Sequence, residues 1–114
     1  MKIELEFSKF QIHFISTQME LFETGMAQMN FVMQPNDKKL ILSICSDISD
    51  KFHNKSRAII KELKPKKKPY RMTLKWYQVY ALNTLIFAAT LNSKDREDIA
   101  IGKSLQMKIG EKLA

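Results

Sequence analysis

The sequence predicts a mostly α protein, a compact four-helix domain with a small two-stranded β-ribbon, in the order β-α-α-β-α-α. Three observations lead there. Two stretches, residues 3–17 and 70–84, carry one pattern at an offset of 67 positions. Gln11/Gln78 and Thr17/Thr84 are identical, and Leu5/Met72, Phe7/Leu74, Phe10/Tyr77, Ile12/Val79 and Ile15/Leu82 keep their character. Each stretch alternates apolar and polar residues and then switches to helical spacing. We read this as a weak internal duplication, and a repeat organises a whole fold. The second observation is a set of long apolar stripes at helical period. The third is composition: three glycines and three prolines in 114 residues favour long helices over a turn-rich β fold. The chain is expected to be a single domain, 1–114, with halves of about 1–64 and 70–114 joined by a basic linker, 65–69.

Residues 2–7 set Ile3, Leu5 and Phe7 against Lys2, Glu4 and Glu6, the period of a half-buried strand. Ser8 then has the chemistry of a helix N-cap, Gln11 completes a capping box, and Phe7 with Ile12 forms a hydrophobic staple. Ile12, Ile15, Met19, Phe22, Met26, Met29 and Met33 follow at alternating spacings of three and four, an amphipathic helix of about six turns. Phe10, Phe14 and Phe31 widen its apolar face. Residues 34–37, Gln-Pro-Asn-Asp, stop this helix and cap the next.

The second helix is expected from Lys38 to Lys64, with a stripe of Ile41, Ile44, Cys45, Ile48, Phe52, Ile59 and Leu63. Residues 53–56, His-Asn-Lys-Ser, form its polar weak spot, where it is expected to bend or fray, and Pro65 ends it. Tyr70, Met72 and Leu74 alternate with Arg71, Thr73 and Lys75 as the second strand. A lone short strand cannot satisfy its backbone, so the two strands should pair. The third helix, about Trp76 to Leu91, is apolar nearly all round and is expected to be central. Lys75 stands where Ser8 capped, so this start is expected to lack the capping box. Asp95, Glu97 and Asp98 suit the N-terminus of a fourth helix carrying Ile101, Leu105, Ile109 and Leu113. Gly102 and Gly110 are expected to weaken it and fray its last turn.

The net charge of +7 is concentrated. Nine cations and one acid, Glu62, lie between Lys55 and Lys75, so this window holds eight net positive charges and the rest of the chain sums to minus one. Such a segment is an electrostatic footprint for phosphate or an acidic partner. Its candidate binding residues are Lys61, Lys64, Lys66, Lys67, Lys68, Arg71 and Lys75. The plainer reading is that these lysines keep an exposed connector solvated. Trp76, Tyr77 and Tyr80 lie beside them. We read these as the buried start of the third helix, with Trp76 and Tyr77 as candidate stacking platforms for bases.

Catalytic groups are sparse. His13 and His53 have no second ligand at helical spacing, Cys45 is alone, and no convergent set for a metal exists, so no metal and no cofactor is expected. The three isolated glycines make no phosphate loop. Asp47, Asp50 and His53 share a helical face that we read as a solvated polar face. No apolar run approaches a membrane span, Glu4 and Glu6 interrupt any signal-peptide core, and one cysteine makes no disulfide. The expectation is a cytoplasmic, non-enzymatic helical interaction protein that binds a protein partner or itself, with no membrane association. The four methionines Met19, Met26, Met29 and Met33 are read as a core seam, with a partner-binding groove as the rival reading. The alternative function is nucleic-acid binding through phosphate contacts from residues 55–75.

Overall fold

The computed structural model describes residues 2–23, 35–62 and 69–114. Strand β1 (Lys2–Phe7) leads into α1 (Lys9–Glu23), followed by α2 (Pro35–Ile60), β2 (Tyr70–Lys75), α3 (Trp76–Asn92) and α4 (Arg96–Leu113). This is the β-α-α-β-α-α order the sequence predicts. Met26, Met29, Phe31 and Met33 of the expected first helix, and Leu63 of the second, lie outside the described residues, as does the linker lysine run.

β1 and β2 pair antiparallel, and only with each other among the described residues. Ile3 faces Leu74, Leu5 faces Met72, and Phe7 faces Tyr70. The register is centred on Leu5 and Met72, which are also equivalent in the 67-residue pattern. The ribbon therefore has a local twofold arrangement, and all six of these apolar side chains are buried on its inner face. The equivalence continues into the helices: Ile12 and Val79, Ile15 and Leu82, and Met19 and Ile86 are buried at matching positions.

The capping box at Ser8 forms as the residues predict. The Gln11 amide donates to Ser8 Oγ at 3.2 Å, and the Ser8 amide donates to Gln11 Oε1 at 2.9 Å. At the second start the expectation was too severe. Lys75 has no side-chain acceptor, but its amide donates to Gln78 Oε1 at 2.9 Å, so half of the box survives. The glutamine common to both repeats carries that half, and only the serine's contribution is missing.

α2 begins at Pro35, three residues before the expected start, because proline at the first helical position has no amide to leave unpaired. It stops at Ile60, ahead of Pro65. The Glu62 amide tightens onto the Ile59 carbonyl at 3.2 Å, and the Glu62 carboxylate accepts the Tyr70 hydroxyl at 2.7 Å. That bond also raises the Tyr70 phenol above its ordinary pKa, because the hydroxyl proton serves the carboxylate. Residues 53–56 do not break the helix. His13 Nδ1 lies 2.5 Å from Ser56 Oγ, and Ser16 Oγ lies 2.6 Å from His53 Nδ1, a reciprocal pair of bonds between α1 and α2. The polar residues face the neighbouring helix and satisfy one another there.

One hydrophobic core runs through both strands and all four helices. Phe7 and Phe52 meet edge to face at 5.8 Å in its centre, and both are fully buried. Cys45 is buried on α2 and its Sγ points at the Ala81 carbonyl. Phe10, expected in the core, is exposed with Lys9 Nζ over its ring at 5.2 Å, because the capping box turns this first-turn position outward. α4 is capped by Asp95, whose Oδ1 accepts the amides of Glu97 and Asp98 at 2.8 and 3.2 Å. Its last turn holds to Leu113, with the Ala114 amide on the Gly110 carbonyl at 3.0 Å. Gly102 is buried at the crossing with α3, where a Cβ would stand 2.1 Å from Thr90 Oγ1. Its missing side chain sets the helix–helix approach.

Candidate functional site

α3 contains seventeen residues and no charge. The pattern says such a helix should be buried on every side, and the structure departs from it. Trp76, Tyr77, Tyr80, Phe87 and Leu91 are 42, 45, 52, 44 and 57 % exposed. At 100° per residue these side chains and the half-buried Asn83, Thr84 and Thr90 fall on one face. The opposite face, with Val79, Leu82, Leu85, Ile86 and Ala89, is the core. α1, α2 and α4 pack against that side of α3.

The exposed face is organised. Trp76 and Tyr80 stack with centroids 5.7 Å apart and planes 17° from parallel. Lys75 Nζ sits 5.9 Å from the Tyr77 ring. Thr84 Oγ1 donates back to the Tyr80 carbonyl at 3.1 Å, so its hydroxyl is spent within the helix. At the middle of the helix, Asn83 Oδ1 is buried and has no hydrogen-bond partner among the described residues, a costly state for an amide oxygen. Exposed aromatic side chains at helical spacing, free of charge, have the composition of a docking surface.

The predicted basic residues are only partly brought to this face. Lys61 is exposed beyond the end of α2. Arg71 and Lys75 lie on the outer face of the ribbon, where Arg71 Nε reaches Glu4 and Glu6 at 3.5 and 3.3 Å. Those exposed pairs add little stability but reduce the local positive potential. Lys64, Lys66, Lys67 and Lys68 lie outside the described residues. Trp76 and Tyr77, the two stacking candidates, are at the start of the open face, exposed where burial was expected.

Ser16, His53 and Glu23 also come together, with His53 Nε2 at 3.7 Å from Glu23 Oε2. The order Ser–His–Glu imitates a nucleophile, base and orienting acid, but Ser16 is buried in the middle of α1. The amides around it are committed to the helix, so no donors stand ready for an oxyanion. The trio ties α1 to α2. Asp47 and Asp50 are exposed, whereas His53, read with them as one solvated face, is half-buried and bonded to Ser16 of α1. A groove of about 1090 Å³ opens between β1, the start of α1 and the ends of α2 and α4, where Lys9, Lys108 and Lys112 alternate with Glu4, Glu6 and Glu62. The charges balance, and Lys108 is already tied to the Glu6 carbonyl at 2.7 Å and Gln11 Oε1 at 2.9 Å. Its partial burial lowers its pKa, against the raising pull of Glu6.

Among the described residues no three His, Cys, Asp or Glu side chains are grouped to hold a metal ion, and no helix is long and apolar enough to cross a membrane. Comparison with protein families, with curated proteins and with solved structures finds no match to this chain.

Proposed function

We propose that the chain is a non-catalytic interaction protein whose working surface is the uncharged aromatic face of α3. The observation that carries this reading is the exposure of Trp76, Tyr77, Tyr80 and Leu91 along a single helix face. Aromatic anchors of this kind dominate binding energy where they enter a partner's pocket. The surface differs from the basic segment that the sequence singles out, while the class of protein is the same. The test is affinity capture with the full chain and two variants. Tyr80→Lys puts a cation in the middle of the face and should abolish capture of the specific partner. Met107→Lys changes an exposed apolar residue on α4 and should leave capture intact. Identical capture by both variants would refute the reading.

A second reading, single-stranded nucleic-acid binding, is favoured by one observation: the exposed rings of Trp76 and Tyr77 next to Lys75. Bases stack on such rings while lysines meet phosphates, with a salt slope of about 0.7 per phosphate contact. Trp76 is the single tryptophan, so its emission reports on this site directly. Quenching by an oligonucleotide that weakens with salt, and weakens again in Lys66→Ser/Lys67→Ser/Lys68→Ser, is the expected result. Emission unchanged by oligonucleotide at low salt rules the reading out.

A further inference from the structure

We propose that the cleft between α2 and β2 binds the phosphate group of a small ligand, either a phosphate monoester or inorganic phosphate itself. This surface is separate from the aromatic face of α3, and the two readings are independent.

The cleft follows from two local periods. Lys51, Asn54, Lys55 and Ala58 stand at i, i+3, i+4 and i+7 of α2, so they share one helix face. Arg71 and Thr73 alternate with the buried Met72 on β2, so they share the outer side of the ribbon. Together these residues line a hollow of about 400 Å³. Ala58 contributes only a methyl group to the lining, which leaves room for a ligand.

Charge selects the ligand. The lining holds Lys51, Lys55 and Arg71 and no carboxylate. The larger groove at the start of α1 sets lysines against glutamates and has no such preference. Carboxylates do stand around the cleft. Asp47 and Asp50 lie one turn before Lys51 and Asn54 on α2, and Glu4 and Glu6 pair with Arg71 Nε from the ribbon side. These acids confine the positive potential to the hollow. An extended polyanion would have to run over them, whereas a single phosphate group would not. A phosphate monoester carries about −1.5 to −2 charges at neutral pH and three strong acceptor oxygens. The cations of the lining, with the neutral donors of Asn54 and Thr73, match that demand.

The donors are held in place. Arg57 donates to Asn54 Oδ1, so the amide oxygen is engaged and the amide NH2 is the part that can meet an anion. Lys55 is half-buried, with Nζ 5.9 Å from the Tyr70 ring, so solvent screens it less than the exposed Lys51. The two glutamates anchor Arg71 through Nε, and a guanidinium held there presents a planar fork of the kind that suits phosphate.

Amide chemical shifts of the full chain, titrated at low salt with inorganic phosphate, ribose 5-phosphate and ribose, test this. Both phosphates should give saturable shifts centred on residues 51–58 and 71–73, with dissociation constants on the order of 0.1–1 mM for so open a site. Ribose should give none. Tighter binding of the sugar phosphate assigns the cleft to an ester, and equal binding assigns it to phosphate itself. Lys51→Gln/Lys55→Gln keeps helix propensity and should weaken binding by roughly tenfold or more. Ala58→Met keeps every charge but narrows the hollow, and should weaken binding too. Lys103→Gln, at an exposed position of α4, should bind like the parent. The absence of saturable shifts up to about 20 mM phosphate, well above that range, overturns the proposal. So do shifts as large around Lys103 and Lys112 as in the cleft, or a Lys51→Gln/Lys55→Gln variant that binds like the wild type. A short oligothymidine that displaces ribose 5-phosphate from the cleft at far lower concentration overturns the small-ligand assignment in favour of a nucleic-acid backbone.

Discussion

Gln11 ties the start of α1 to α4 through one side chain. Its Oε1 accepts from the Ser8 amide and from Lys108, and its Nε2 donates to Ser104 Oγ at 3.3 Å. Gln78, its counterpart in the second half, accepts only from the Lys75 amide among the described residues. Removing a buried partner leaves other groups unsatisfied, so Gln11→Ala should cost about 2–3 kcal/mol. Gln78→Ala removes half of an exposed cap and should cost about 0.5–1 kcal/mol. Urea unfolding of the two variants measures the difference, and equal losses would show that the α4 contacts carry no stability. Cys45 gives a pH-dependent counterpart. Burial, with a smaller contribution from the Glu23 charge, pushes its thiol from 9.0 to about 12. The unfolded thiol ionises near 9.0 while the folded one holds its proton to about 12, so the unfolded state binds fewer protons in that window. This contribution to stability is intact below the lower value and lost on rising through the window. Stability should fall less steeply above pH 9 in Cys45→Ala than in the wild type, and wild-type thiol labelling at pH 8 should require unfolding.

At the scale of elements, the two glycines of α4 make opposite predictions from one residue type. Gly102 leaves no room for a methyl group, whereas Gly110 has nothing within 4 Å of the point a Cβ would occupy. Gly110→Ala should stabilise by about 0.5–1 kcal/mol through helix propensity. Gly102→Ala should destabilise by about 1–3 kcal/mol by forcing α3 and α4 apart, and Thr90→Ala in the same chain should recover part of it. Thermal melts of the three variants check both signs. Sequence alone ranked these glycines together, because helix propensity is a local quantity and the distance to Thr90 is not. The same limit explains residues 53–56. His53 and Ser56 read as a polar weak spot, but their partners Ser16 and His13 are about forty residues away and on a helix whose apolar stripe gave no sign of them. Strand alternation, the Ser8–Gln11 box and the Asp95 cap were legible because each is complete within a few residues. The open face of α3 was not. A helix that is apolar all round has no period to mark which side meets solvent, and only the placement of α1, α2 and α4 decides it.

At the scale of the molecule, the ribbon is the clasp between the two halves. Among the described residues β1 has no partner but β2, and α2 from the first half packs against α3 from the second. Neither half can close a core alone: residues 1–62 would leave Leu5, Phe7 and Phe52 without their cover, and residues 69–114 would leave Met72, Leu74 and Val79 bare. An isolated strand is also without a ladder, and a two-helix fragment buries too little apolar surface to offset its chain entropy. Among the described residues, the ribbon and the core join residues 2–62 to residues 69–114. Fragments 1–62 and 69–114, produced together, should form a one-to-one complex with the circular dichroism of the intact chain, while each alone stays largely unfolded. Joining the fragments makes their association intramolecular, so the complex should melt below the intact protein and at a temperature that rises with concentration. A first fragment that folds cooperatively by itself would mean that α1 and α2 carry their own core, and the ribbon would then be an ornament on one half rather than the closure of both.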